Sequence, residues 1–269
     1  MRKKQPEVIG IASGKGGVGK TTISVNLASA LVNAGKKVVL FDGDLGLANA
    51  QISLGLRSKF NISHVLSGEK EINEILIKGP SGLILVPGAS GVKQMAALNE
   101  IQTSAIIQAF SELDFDLDYL IIDMAAGISP SVLTLMEACH RRLVVVVDEP
   151  SSIADAYGAI KVITQKSAKE EIYLLQNRVK SDEDGQILFN RMNEVCIKFL
   201  DQSIYSLGSI FEDESLLQAL RNKKTIFEHA QGSTAARDFK MIAENVLGLT
   251  SPGDSSGGLE FFLDRKNDN

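Results

Sequence analysis

Ser13-Gly14-Lys15-Gly16-Gly17-Val18-Gly19-Lys20-Thr21-Thr22 follows a short apolar run, Val8 to Ala12, and opens a helical pattern at Ile23, Leu27, Ala30 and Leu31. This is the strand, loop and helix context that a phosphate-cradling glycine loop requires. Gly14, four intervening residues and then Gly19-Lys20-Thr21 match the nucleoside-triphosphate template. Glycines at 14, 16, 17 and 19 let the backbone curl so that successive N–H groups point inward, and the helix that starts near Lys20 adds its positive end. Lys20 is placed to reach the β and γ phosphates, and the Thr21 hydroxyl to hold Mg²⁺.

Lys15 is not demanded by that template. With it, Lys15 to Thr21 reads KGGVGKT and resembles the deviant Walker A ATPases of the MinD/ParA family, signature KGGxGK[ST]. The resemblance implies a P-loop ATPase that binds Mg-ATP through Gly14 to Thr22, including Val18. It also implies that Lys15 crosses a dimer interface to the partner's nucleotide, making ATP part of the join between subunits.

Working outward, the run Val38 to Phe41 is continuous enough to be a strand buried on both faces, as parallel strands are. The strand Lys37 to Asp42 ends in Asp42-Gly43-Asp44, and ligands of open α/β sheets sit beyond that end. Asp44 is the acid expected to orient the attacking water and assist Mg²⁺; the resemblance places it on the switch I aspartate. The resemblance also brings Asn49 to the nucleotide, partly across the dimer. A further strand, Tyr119 to Asp123, ends in the second acid expected to hold Mg²⁺ through its water shell. After it, Met124-Ala125-Ala126-Gly127 is a small-residue turn able to swing the Gly127 N–H onto a γ phosphate, which would make this loop a switch.

The rest of the chain supplies the remaining layers. Residues 50 to 80 read as short helical pieces, Leu83 to Val86 as a strand and Gly91 to Phe110 as a helix. Asp114, Asp116 and Asp118 read as a solvated turn, since the later Gly and Glu of a calcium loop are missing. A helix starting at Pro130 precedes a strand over Leu143 to Val147, and Ile172 to Leu175 is the next strand. In the family, the Asn of the following Gln176-Asn177-Arg178-Val179 reads the adenine edge, with Arg178 beside it. Asp182-Glu183-Asp184-Gly185 reads as an acidic loop before an amphipathic helix whose core face carries Phe189, Met192, Val195, Cys196, Phe199 and Leu200. Tyr205 to Ile210 is the last strand. Phe211-Glu212-Asp213 then stands where the family commonly has Pro-Tyr-Asp beside the adenine.

The fold expected is a twisted, mostly parallel sheet of seven or eight strands with helices on both faces. Residues 8–250 form the ATPase domain, after a short tail over 1–7. The Ser-, Pro- and Gly-rich stretch 251–258 reads as a linker, and 259–269 as a tail with a short amphipathic helix. Family members often end in a membrane-binding helix. Here Glu260 and Asp264 offset Arg265 and Lys266, so attraction of 259–266 to anionic lipid is weak at about 1 kcal/mol per basic residue. No run approaches the roughly 18 apolar residues of a membrane span. Cys139 and Cys196 form no CxxC pair and read as core thiols of a reducing cytoplasm. A formal net charge of −5 argues against a surface built to neutralise DNA.

Within the family, "GDLGLANAQISLGL" (Gly43 to Leu56) and the segment Glu149-Pro150-Ser151-Ser152-Ile153-Ala154-Asp155-Ala156-Tyr157 resemble the flagellar-regulator branch, FlhG or YlxH. Asp148 stands where that branch usually has proline. The resemblance implies a slow, peripheral-membrane or cytoplasmic ATPase acting on flagellar number or placement. Its partners would be the flagellar GTPase FlhF, switch-complex proteins or a transcription regulator. The DQAxxLR segment by which that branch activates FlhF is not found in the seven residues before Val8. The alternatives are MinD-type division-site selection, a ParA-type DNA partition ATPase and a nucleotide-gated scaffold with little turnover.

Overall fold

The computed structural model describes residues 5–91, 95, 98–166, 171–250 and 259–262. The expected linker 251–258 and tail residues 263–269 lie outside them. One sheet organises the chain. Its strands are β1 (Glu7–Ala12), β2 (Val38–Gly43), β3 (Ile77–Lys78), β4 (Ile84–Val86), β5 (Tyr119–Met124), β6 (Arg141–Val146), β7 (Ile172–Val179) and β8 (Tyr205–Phe211). They lie in the order β3-β4-β2-β5-β1-β6-β7-β8. The β3–β4 pair is antiparallel and every other pair parallel. The sheet therefore has eight strands; the short edge strand β3 falls inside the stretch expected to be helical.

The helices are α1 (Lys20–Asn33), α2 (Ala50–Ser53), α3 (Ile62–Leu66), α4 (Glu100–Ala109), α5 (Pro130–Glu137), α6 (Pro150–Lys166), α7 (Asp182–Leu200), α8 (Glu214–Arg221), α9 (Ile226–His229) and α10 (Thr234–Gly248). Strand alternation sends Val8 and Ala12 of β1 into one core and Ile9 and Ile11 into the other. The first core holds Phe41, Phe110 and Met192; the second holds Leu27 of α1 and Phe239 of α10. From β1 the chain steps to β2 toward one edge, and from β5 it steps to β6 toward the other. Such a reversal opens a crevice beyond the carboxyl ends of β1 and β5.

Local chemistry sets several boundaries differently from the sequence pattern. Of the helix expected from Gly91, residues 92–94 and 96–97 lie outside the described residues; α4 starts at Glu100, where Asn99 caps it: its side chain accepts from the Gln102 N–H at 2.9 Å, and the Gln102 side chain accepts from the Asn99 N–H at 3.1 Å. Asp182, Glu183 and Asp184 are the first turn of α7 and not a loop, with Ser181 as the cap. Acids there favour the positive helix end. Gly185 lies inside α7 against Ser209, where a larger side chain would collide. Phe199, expected in the core stripe, is 63% exposed. Asp116 pairs with Lys37 at 3.7 Å, in keeping with a solvated turn. Cys139 and Cys196 are buried thiols, and burial pushes the Cys196 thiol up to about 11.

Of the terminal apolar island only Leu259 to Phe262 are described. Phe261 and Phe262 are fully buried in a turn, not on a helix. The Phe261 ring meets that of Phe110 edge-on at 5.3 Å. These two aromatic residues are core residues. Among the described residues no helix is long and apolar enough to cross a membrane.

Candidate functional site

The loop from Ser13 to Gly19 joins central β1 to α1 and so sits in the crevice at the carboxyl edge. Two glycines there are required by space. A Cβ on Gly14 would overlap the backbone carbonyl of Asp155 in α6, and a Cβ on Gly19 would strike the Asn177 amide. Gly19 also takes a left-handed φ of 96° at the start of α1. The Ser13 hydroxyl donates to the Lys15 carbonyl at 2.6 Å, tightening the turn, and Val18 is buried beneath it. Gly16 and Gly17 are exposed, which leaves the loop accessible from outside.

Lys20 is buried and burial lowers its pKa, against the opposing pull of Asp123 and Asp44. Asp123, at the end of β5, is buried as well. Its pKa is raised to about 6 by that burial, against hydrogen bonds from Thr21 and Ser24 and the charge of Lys20. Ser24 lies one turn along α1 from Lys20 and donates to Asp123 Oδ1 at 3.0 Å. Asp44 stands just past β2, half-buried, with Oδ1 accepting the Leu47 N–H at 3.1 Å.

Asp42 was not singled out from the sequence. It pairs in register with Asp123 across β2 and β5 and is fully buried. Its Oδ2 accepts the Ala50 N–H at 2.7 Å, while Oδ1 has no partner. Burial, then the neighbouring Asp123 charge, holds this carboxyl well above the usual range. Asp123 and Asp44 beside the buried Lys20 ammonium, with Asp42 and its orphaned oxygen next to Asp123, form a hard-oxygen environment of the kind Mg²⁺ takes. Thr21, Asp44 and Asp123 are therefore fit to hold Mg²⁺, directly or through water. Among the described residues no three His, Cys, Asp or Glu gather as an all-protein metal cage. Mg²⁺ bound by few carboxylates and substrate phosphates needs none.

Lys15 points away from this cluster. Its Nζ sits 3.0 Å from Glu149 Oε2 and 2.8 Å from Ser151 Oγ, at the β6–α6 junction, and the pair is partly exposed. Neither partner was foreseen. The Gly127 N–H, expected to face a γ phosphate, donates to the Ser13 carbonyl at 2.9 Å. Asn49 is exposed ahead of α2 and its side chain makes no capping bond.

On the other flank, Asn177 lies within β7 instead of in a turn after it, and is buried. Its amide Nδ2 donates to the Val18 carbonyl at 2.7 Å, tying the strand to the phosphate loop and leaving Oδ1 to accept. Arg178 takes a left-handed φ of 56° and donates from a guanidinium nitrogen to the Gly17 carbonyl at 3.1 Å. Asp213, expected beside the adenine, stands at the N-terminus of α8. Its oxygens accept from the Ser215 N–H at 2.7 Å and the Ala235 N–H at 2.8 Å, so it caps α8 and pins the start of α10. Burial raises its pKa, but those backbone bonds outweigh it and hold the carboxyl low.

Against this geometry the sequence matches the ParA family, described as NUBPL iron-transfer P-loop NTPase, over residues 4–247. The chain belongs to the ParA/MinD family of P-loop NTPases. It is 40% identical to antiactivator FleN of Pseudomonas aeruginosa, over 96% of this chain and 92% of that protein. It is 32% identical to the flagellum site-determining protein YlxH of Helicobacter pylori, over 96% and 86%. The MinC:MinD cell division complex of Aquifex aeolicus superposes with a TM-score of 0.74 at 28% identity, over 93% of this chain and all of the matched one. Both sequence relatives are regulators of the flagellar branch. In this family the phosphate loop binds nucleotide.

Proposed function

We propose that this protein is a slow Mg-dependent ATPase whose bound triphosphate fastens two copies face to face, and that it governs flagellar number or placement. The observation that carries the reading is the position of Lys15. The family's signature lysine rests on two acceptors at the loop's outer side, where an exposed ion pair is exchanged at little cost. Leu47 is 70% exposed after Asp44, and Ile128 is 48% exposed after Gly127. Apolar residues beside both carboxylate loops suit a surface that is covered when copies pair.

Within that pair, water attacks the γ phosphorus and ADP leaves. Asp44 orients the water, while Lys20 in cis and Lys15 in trans neutralise the charge that develops. Mg²⁺, when bound, supplies charge neutralisation between the phosphates. For Gly127 to donate to a γ phosphate it must give up Ser13, and that exchange is the ordering step of the switch. Asn49 approaches the partner's nucleotide. Asn177 offers Oδ1 to the adenine amino group, an acceptor that guanine's carbonyl does not satisfy. Arg178 steadies the loop at Gly17.

The flagellar role rests on the FleN and YlxH relatives, and FlhF, switch-complex proteins or a flagellar transcription regulator are the proposed partners. The site of action is the cytoplasm. Sedimentation with ATP and with ADP tests the switch, using wild type, Asp44→Ala to block turnover and Lys15→Ala to remove the crossing charge. A doubled mass is expected with ATP for wild type and Asp44→Ala, and a monomer for Lys15→Ala. An unchanged monomer for Asp44→Ala with ATP refutes the reading.

A further inference from the structure

The face that α4 turns to solvent carries an uncovered apolar side chain. Ile101 is 81% exposed. Ala105, Gln108 and Glu112 follow it at helical spacing, all exposed, the last in a 3₁₀ turn that continues the helix. Beside this stripe runs a cavity of 530 Å³ between α4 and the α3 segment. Val65, Leu66, Ile106 and Ala109 give it an apolar floor.

The rim is acidic: Glu69, Glu71, Glu74 and Glu112 surround the floor, with Lys70 as the one cation of the lining. Lys70 is already engaged, 2.7 Å from Glu74 Oε1 and 4.8 Å above the Phe60 ring. Its hydrogen bond keeps the Glu74 carboxyl below the usual range. Among the described residues no cation pairs with the exposed Glu69, Glu71 or Glu112 side chains.

We propose that this groove docks a basic amphipathic helix of a partner protein, its apolar face on Ile101 and the floor and its Lys or Arg residues on the glutamate rim. Charge decides among occupants. Anionic lipid and nucleic-acid phosphates are repelled by the rim, whereas a cationic helix is complementary to it. Residues 263–269, which follow Phe262 on Phe110, balance Arg265 and Lys266 with Asp264 and Asp268 and offer no complementary charge. At about 1.5 Å per residue, Ile101 to Glu112 presents roughly 16 Å, the length of about three helical turns. α4 ends just before the segment leading to the start of β5, so its groove-lining half lies at the opposite end of the sheet from the phosphate loop. Docking there leaves the nucleotide residues free.

The probe is a synthetic helix of about four turns with leucine on one face and lysine on the other, against a counterpart with glutamate in place of lysine. Fluorescence anisotropy gives affinity and amide NMR shifts give position. The lysine peptide should bind the full chain, with shifts confined to α3, α4 and the 69–74 turn, and the glutamate peptide should not. Glu71→Lys with Glu112→Lys should weaken binding about tenfold at low salt, and less at high salt. Ile101→Ser should weaken it about fivefold at either salt. All of these positions are exposed, so thermal midpoints should match wild type. Equal affinity in the charge-reversed variant, or shifts centred on the phosphate loop, overturns the proposal. So does binding that appears only after residues 263–269 are removed, since the groove would then belong to the chain's own tail.

Discussion

Replacing Asp123 by asparagine should make the nucleotide-free protein more stable at neutral pH while abolishing hydrolysis. The Asp123 carboxyl is displaced from 3.8 to about 6, and burial is the first cause. At 1.36 kcal/mol per pKa unit, a displacement of about two units is worth on the order of 3 kcal/mol. That net value already contains the opposing hydrogen bonds from Thr21 and Ser24 and the attraction of Lys20. The sign follows from proton binding: between about pH 4 and 6 the native state holds a proton that the unfolded state has lost. The favourable contribution is complete below about 3.8 and disappears as pH rises through about 6. Asparagine keeps the shape and an oxygen for the Ser24 hydroxyl but carries no charge. Urea unfolding across this range should show wild-type stability falling with pH and a flatter profile in the variant. Asp42 is coupled to Asp123, so the midpoints belong to the pair and the wild-type minus variant difference is the quantity to read. A pH slope as steep in Asp123→Asn as in wild type would refute the reasoning.

Gly14→Ala should leave the fold intact but reduce ATP affinity at least about tenfold, since the new methyl collides with the Asp155 carbonyl and displaces the loop; calorimetric titration checks it. Phe261→Ala should cost roughly 3 kcal/mol in urea unfolding, because the ring is fully buried against Phe110; an unchanged midpoint would show that the terminal turn is not part of the core. Asn177→Ala removes the Val18 tether and the acceptor proposed for adenine. ATP affinity should fall about tenfold and the preference over GTP should narrow, measured by competition with a fluorescent nucleotide.

The strand, loop and helix around the phosphate loop and the buried strands themselves were legible because each is a local pattern with one physical solution. The apolar run before Gly14 had to be a strand, and Asp123 had to end one. What was not legible depended on distant partners. β3 is a two-residue edge strand defined only by its pairing with β4. Asp42 reads as the end of a strand, and only its register opposite Asp123 shows that two buried carboxylates lie side by side. Ser24 sits one turn along α1 from Lys20, a spacing visible in the sequence that alone names no target. The bond from the Ala235 N–H to the Asp213 carboxylate joins residues 22 positions apart and has no local signature. The packing of Phe261 and Phe262 beside Phe110 joins residues about 150 positions apart and has no local signature.

The two lysines of the loop differ in a way that bears on how a switch can be reversible. Lys20 is buried among Asp123 and Asp44, and removing it would leave buried carboxylate charge uncompensated, a loss that typically runs to about 3–5 kcal/mol. Its position is fixed by the fold. Lys15 makes its contacts with Glu149 and Ser151 at the surface, with 38% and 54% of the two charged side chains exposed. Pairs of that kind are worth about 0–1 kcal/mol. In the proposed dimer a partner's phosphates, carrying more charge and excluding more water, would outcompete a single solvated carboxylate, and loss of the last phosphate would make Glu149 a competitive alternative again. Strengthening the cis pair by burying it would therefore raise the barrier to pairing, and deleting it with Glu149→Gln would shift the balance toward the dimer only slightly, by no more than that same increment.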